Sequence, residues 1–240
     1  MRRAVRADGR QAELPEQPGG MMPKSEQKVV EDRQRRGCQF IAVAARHMAE
    51  LGYEGTTVRG IAKEMELTSA TLFHYFPSKN DLLEAIIQAG VDHGLGVIRD
   101  AMGADFTPLA RLQRLVRAHL GILYGEMGHI HRVWNSEWHK LSAAARERLR
   151  ARNEEYRGIW RETLRRLNGA GYLKSDAEVL RHLLLPGLNW TSTWAHSLDH
   201  EQMEALADQI CSVVLNCSVA DFRRLEREEA NQERHDGSTG

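Results

Sequence analysis

The chain has 240 residues, 42% of them apolar, with 33 Lys plus Arg against 33 Asp plus Glu. That length holds one large domain or two small ones with true cores, and no apolar run in it is long enough to cross a bilayer. Balanced charge excludes a globally basic nucleic-acid binder, so any such affinity must lie in a local arrangement. Cys38, Cys211 and Cys217 show no framework spacing and fall in helical segments, so they are expected reduced and buried in a cytoplasmic protein.

Taken in chain order, residues 1–25 offer almost nothing to bury. Arg2, Arg3, Arg6 and Arg10 sit among Gly, Pro, Gln and Glu, which predicts a disordered extension. Beyond it apolar residues recur at three and four, never at two, which predicts an all-α fold. Ile41, Ala44, Ala45, Met48 and Leu51 mark one face of a first helix that stops at Gly52. Thr57 opens a short helix through Glu64, and Thr68 opens another through Phe76. Ser78 or Asn80 caps a longer one carrying Leu83, Ile86 and Ile87. Thr107 and Pro108 start the next, with a stripe of Leu109, Leu112, Leu115, Val116 and Leu123. A segment at Ile130 to Leu141 follows, then a long polar helix from Ser142 to Asn168. Ser175 and Asp176 cap a helix through about His196, and Asp199 or His200 precedes the last, which ends near Val219. The spacing predicts nine helices. Three form a helix-turn-helix domain over 26–80, six form an effector-binding and dimerisation domain over 81–219, and 220–240 form a disordered tail.

The second and third helices are separated by so few residues that they must cross steeply, as in a helix-turn-helix. Ile61, Ala62, Leu67, Leu72 and Phe76 fill the shared core and Thr68 caps the second helix. Ser69, Ala70, Thr71 and His74 are left on the outer face that enters a major groove. Thr57, Arg59, Tyr75 and Lys79 lie where phosphates are gripped. Gly52-Tyr53-Glu54-Gly55-Thr56-Thr57-Val58-Arg59, Ile61-Ala62, Thr71-Leu72-Phe73-His74-Tyr75-Phe76, Ser78-Lys79 and Leu82-Leu83 together resemble the DNA-binding domain of the tetracycline-repressor (TetR) family. The resemblance implies a homodimeric repressor on a pseudo-palindromic operator, with Thr57, Arg59, Ser69, Thr71, His74, Tyr75 and Lys79 at positions that often touch DNA. Three departures stand out. Glu66 occupies the usual turn glycine and must take a left-handed conformation or change the turn. Gly60 replaces an acidic residue, and Ser69 replaces a basic residue or Pro.

In the larger domain Trp134 and Trp138 are four apart, as are Trp190 and Trp194, and Tyr156 and Trp160. Such pairs are either plain core or the walls of an apolar pocket with Asn189, Thr193 and His182 as its polar groups. Pro186 removes a backbone donor inside the helical run and opens space there. Leu183 to Thr191, continuing to Trp194, resembles a TetR subgroup that regulates fatty-acid and steroid-ring catabolism and responds to acyl-CoA thioesters. A multidrug- or aromatic-compound-responsive repressor is the alternative. Met203, Leu206, Ile210, Val213, Val214 and Cys217 form a stripe that reads as the homodimer interface. Arg146, Arg148, Arg150, Arg152, Arg157, Arg161, Arg165 and Arg166 read as a solvated face paired with neighbouring Glu residues. An H-x-H pair such as His129 and His131 points its rings apart along a helix, so no metal is expected. No nucleotide loop, Ser-His-Asp pattern or paired-Cys site is present, so neither cofactor nor catalysis is expected. A helical enzyme with an accessory helix-turn-helix is the rival of a different class.

Overall fold

The structure, a computed structural model, describes residues 24–102, 106–195 and 197–236. The expected N-terminal extension therefore lies, through residue 23, outside the described residues. The described residues fall into two units, one ending at Arg36 and the other beginning at Gly37. In the first, Arg35 pairs with Asp32 at 2.5 Å.

The elements are α1 (Lys24–Gly55), α2 (Val58–Glu64), α3 (Ser69–Tyr75), α4 (Lys79–Ala101), α5 (Pro108–Tyr124), α6 (Gly128–Glu137), a 3₁₀ turn (Trp138–Lys140), α7 (Ala143–Gly169), α8 (Ala177–Trp194), α9 (His200–Leu215) and α10 (Val219–Asp236). No strand occurs among the described residues. The helix starts follow from local chemistry. Side-chain oxygens of Thr57, Thr68, Ser78, Thr107, Ser142, Asp176 and Asp199 accept a backbone N–H of the first turn. Each such cap is worth about 1 kcal/mol. Gly52 interrupts α1 with φ 72°, where the sequence predicts a stop, and the chain resumes helical form to Gly55.

The tail expected from residue 220 is instead α10. Its apolar content is low, but Phe222 is fully buried and Leu225, one turn on, packs against the same core. Ser218 accepts the Asp221 N–H at 3.1 Å, and the Glu229 carboxylate accepts the Leu109 N–H at 3.0 Å, so α10 caps the start of α5. One well-placed aromatic outweighs a polar average. The cysteines are also corrected. Only Cys211 is buried; Cys38 is exposed and Cys217 half-buried.

Two hydrophobic clusters hold the fold. One joins Phe40, Ala44, Met48, Ile61 and Leu72 to Leu83, Ile87, Ile130 and Val133. The other gathers α5, α7, α9 and α10 around Leu112, Trp160, Leu164, Cys211 and Phe222. Trp134 of α6 packs against both. The small domain thus shares its core with α4 and α6.

Candidate functional site

At the helix-turn-helix, α2 and α3 meet as expected, with Ile61 and Leu72 fully buried between them. Glu66 has φ 56°, the left-handed conformation its place in the turn demands. Thr57 and Thr68 act as caps, and the Thr71 hydroxyl lies 3.0 Å from that of Thr68. Arg59, Ala70 and His74 are exposed, while Ser69, Thr71, Tyr75 and Lys79 are half-buried. The Tyr75 ring sits 5.2 Å from that of Phe40, so its hydroxyl is carried on a fixed ring. Lys79 Nζ lies 4.2 Å above the Tyr53 ring, a cation–π contact that holds the ammonium at the head of α4. Phe73 is 45% exposed on α3, and the sequence reading did not single it out as a surface residue.

The larger domain holds a cavity of about 230 Å³ between α5, α6, α7 and α8. A hydrogen-bonded chain runs through its wall. The Tyr156 hydroxyl donates to His119 Nδ1 at 2.6 Å, and His119 Nε2–H donates to Asn189 Oδ1 at 3.0 Å. The Asn189 amide donates to Asn135 Oδ1 at 3.3 Å. This wiring suits a neutral imidazole, and burial pushes His119 down to about 4. Burial also raises the Tyr156 phenol well above its ordinary value. His131 Nε2 lies 3.0 Å from His93 Nδ1 on α4, and burial, with the other histidines, holds His131 at about 3. Arg157 and Arg181 supply positive charge at the cavity. Arg181 is nearly buried and bonds Glu178 at 2.9 Å.

Of the residues expected around an effector, Trp134 and Asn189 line this cavity, with His182 and Pro186. The others lie elsewhere. Trp138 falls in the 3₁₀ turn, because α6 ends at Glu137, and packs against the small-domain core. Trp190 and Trp194 are 66% and 59% exposed, and the Thr193 hydroxyl bonds its own helix at Trp190 O. A separation of four residues places two side chains on one face without saying whether that face is inner or outer. Sequence reasoning missed His119, Asn135, Tyr156 and Arg181 as a set. A signal existed: His119 continues the stripe Leu112, Leu115, Val116, where a polar residue stands out.

Trp194 belongs instead to an outer apolar face made by α8 and α9, and Trp190 is exposed one turn before it on α8. Leu180, Leu183, Leu184 and Trp194 face Leu206, Ile210 and Val213 across a shallow groove. Val213 is 79% exposed, whereas Val214, Met203 and Cys217 are wholly or partly covered within the subunit. The α7 arginines are paired as expected: Arg148 with Glu84, Arg152 with Asp92, Arg165 and Arg166 with Glu162. Among the described residues no single helix is long and apolar enough to cross a membrane.

A family model for bacterial regulatory proteins of the tetR family matches residues 40–86, and one for a tetracyclin repressor-like C-terminal domain matches residues 105–217. The chain is 27% identical over 184 residues to the HTH-type transcriptional repressor KstR2 of Mycobacterium tuberculosis, covering 75% of this chain and 91% of the relative. A TetR-family transcriptional regulator from Bordetella parapertussis is 26% identical with a TM-score of 0.67, over 77% of this chain and 96% of that one. AibR, crystallised with isovaleryl coenzyme A and operator DNA, has the same fold at 22% identity and a TM-score of 0.68, over 76% of this chain and 100% of that one.

Proposed function

The chain belongs to the TetR family of bacterial transcriptional regulators, and on that footing we propose that it is a homodimeric repressor released from its operator by a largely apolar acid carried as a coenzyme A thioester. KstR2, which shares three quarters of the chain's length in alignment, is itself named a repressor. One observation carries the reading: Trp134 lines the cavity and also packs against both hydrophobic cores. A ligand that moves Trp134 therefore acts on the core that holds the reading head.

The path is short. A Cβ on Gly94 of α4 would lie 3.1 Å from His131 and 3.5 Å from Trp134, and one on Gly90 would lie 3.1 Å from Ile130. With so little between α4 and α6, filling the cavity shifts α4, and α4 begins at the DNA-facing Lys79. An effector must prefer the DNA-incompetent packing, since equal affinity for both states shifts nothing. The outer face of α8 and α9 is assigned to a second copy of the chain, because exposed apolar area of this kind needs a partner. Two heads so joined reach successive major grooves roughly 34–36 Å apart. Thr57, Arg59, Tyr75 and Lys79 are assigned to phosphates, and Ser69, Ala70, Thr71 and His74 to base edges. Arg157 and Arg181 at the cavity favour an acid over a cationic drug.

The test is a mobility-shift assay on DNA upstream of the gene, with random competitor, followed by a panel of acyl-CoA thioesters. Specific retardation with release by a thioester is expected. No retardation above competitor removes the repressor reading, and release by a drug-like cation alone removes the effector class.

A further inference from the structure

One helical turn beyond the first cavity, α5, α6 and α8, with Ser197 and Leu198 after it, line a second, partly open one of about 230 Å³. Its walls include Tyr124, Gly128, His129, Arg132 and Ser192, and Leu123 is common to both cavities. Tyr124 Oη and His129 Nε2 are buried here without a hydrogen-bond partner. Buried polar atoms are paired almost without exception, and two orphans in one small cavity mark a place where something binds.

The surrounding chemistry selects an anion. Arg132 has no carboxylate partner among the described residues, in contrast to the paired arginines of α7. The turn from α5 to α6 is bounded by two glycines by necessity. A Cβ on Gly125 would lie 2.6 Å from Gly121 O, and one on Gly128 would run into Leu123 O. Helix α6 starts there with no side-chain cap; its Gly128 N–H donates to Gly125 O and its Ile130 N–H to Met127 O, each at 2.9 Å, and the positive end of its dipole lies at this corner. The nearest carboxylate in the turn, Glu126, is exposed. Burial and the charges of Arg46 and Arg132 hold His129 below the ordinary imidazole range, while a hydrogen bond to the Glu126 backbone opposes them. An oxyanion accepts the Tyr124 O–H and the Arg132 guanidinium and lets His129 Nε2 take up a proton and donate.

We propose that this second cavity is an oxyanion subsite that takes a phosphoryl group, supplied either by the effector reaching past Leu123 or by free phosphate. The effector source rests on the function proposed above; the cavity itself does not.

Calorimetric titration of the full chain separates the cases, using inorganic phosphate, an acyl-CoA and the matching S-acyl pantetheine, which carries no phosphate. In the effector case acyl-CoA binds at least about tenfold tighter than the pantetheine thioester. Tyr124→Phe and Arg132→Gln then each erase most of that preference while leaving pantetheine binding unchanged. In the free-anion case the two thioesters bind alike, and phosphate binding weakens about tenfold in either variant. Tyr124→Phe keeps the ring, so its result stands even if the arginine variant folds poorly. If neither variant changes the binding of phosphate or of acyl-CoA, the cavity holds water only and the proposal is wrong. If no thioester binds at all, the effector reading fails, and the phosphate titration still decides the subsite.

Discussion

The reading head and the effector domain solve opposite problems with the same helices. In the head, the residues assigned to DNA lie within 23 positions, from Thr57 to Lys79, on two short helices and the first residue of α4, each helix fixed by its own cap. In the larger domain the cavity draws His119 from α5, Trp134 from α6, Tyr156 from α7 and Asn189 from α8. The head presents its chemistry on an outer surface, so few long-range contacts are needed to define it. The cavity exists only once four helices have packed. The comparison separates two kinds of aromatic pair as well: Trp134 faces inward between two cores, while Trp190 and Trp194 face out.

The largest effect that would sharpen this contrast lies on the outer face. Trp190→Asp or Val213→Asp puts a charge where a second copy is expected. Sedimentation should show monomers, and operator affinity should fall by about two orders of magnitude or more, because one head lacks the second half-site. A variant that stays dimeric moves the interface elsewhere.

The next effect lies inside. His119 and His131 are held neutral, at about 4 and about 3, so between those values and about 6.5 the unfolded chain binds more protons than the folded one. Stability is full above about pH 6.5 and falls as pH drops, by about 1.4 kcal/mol per unit for each histidine. Urea midpoints should therefore drop between pH 7 and pH 5, and His119→Gln should flatten the drop. A midpoint independent of pH in this window contradicts the neutral hydrogen-bonded chain.

Smaller effects probe the head. Lys79→Ala removes a residue assigned to a phosphate and leaves those assigned to base edges in place. Affinity for operator and random DNA should fall together, and the salt slope should flatten by about one unit. A change in sequence preference with an unchanged slope would reverse the assigned roles. Smallest is Glu66→Gly. It relieves a left-handed residue at φ 56° but adds chain entropy to the unfolded state, for a net gain of about 0.5 kcal/mol in thermal unfolding. A loss instead would mean that the Glu66 side chain contributes more than its backbone costs.

How much of this was legible in the sequence follows the same division. The caps at Thr57, Thr68, Ser78, Thr107, Ser142, Asp176 and Asp199 are local, and they fix helix starts that the residues announce. The strained turn at Glu66 was legible too, because a missing glycine has one conformational consequence. Spacing could not tell the inner Trp134 from the outer Trp190, since a helical period fixes a face and only packing says what that face meets. Nor could it gather His119, Tyr156 and Asn189, whose hydrogen bonds span 37 and 70 positions. Helix α10 was hidden for a different reason. Its burial rests on Phe222 and Leu225, against a polar background that reads as tail.

The central claim is that Trp134 and His119 serve the effector while Trp190 serves the second copy. Operator release measured side by side for wild type, His119→Leu and Trp190→Ala tests it most directly. The account predicts that wild type binds DNA and is released by an acyl-CoA thioester. His119→Leu should bind DNA with release weakened about tenfold or more. Trp190→Ala should bind DNA more weakly, with the thioester concentration for release unchanged in the fraction still bound. Normal release in His119→Leu, together with lost release in Trp190→Ala, would contradict the account and return the effector to the outer tryptophans.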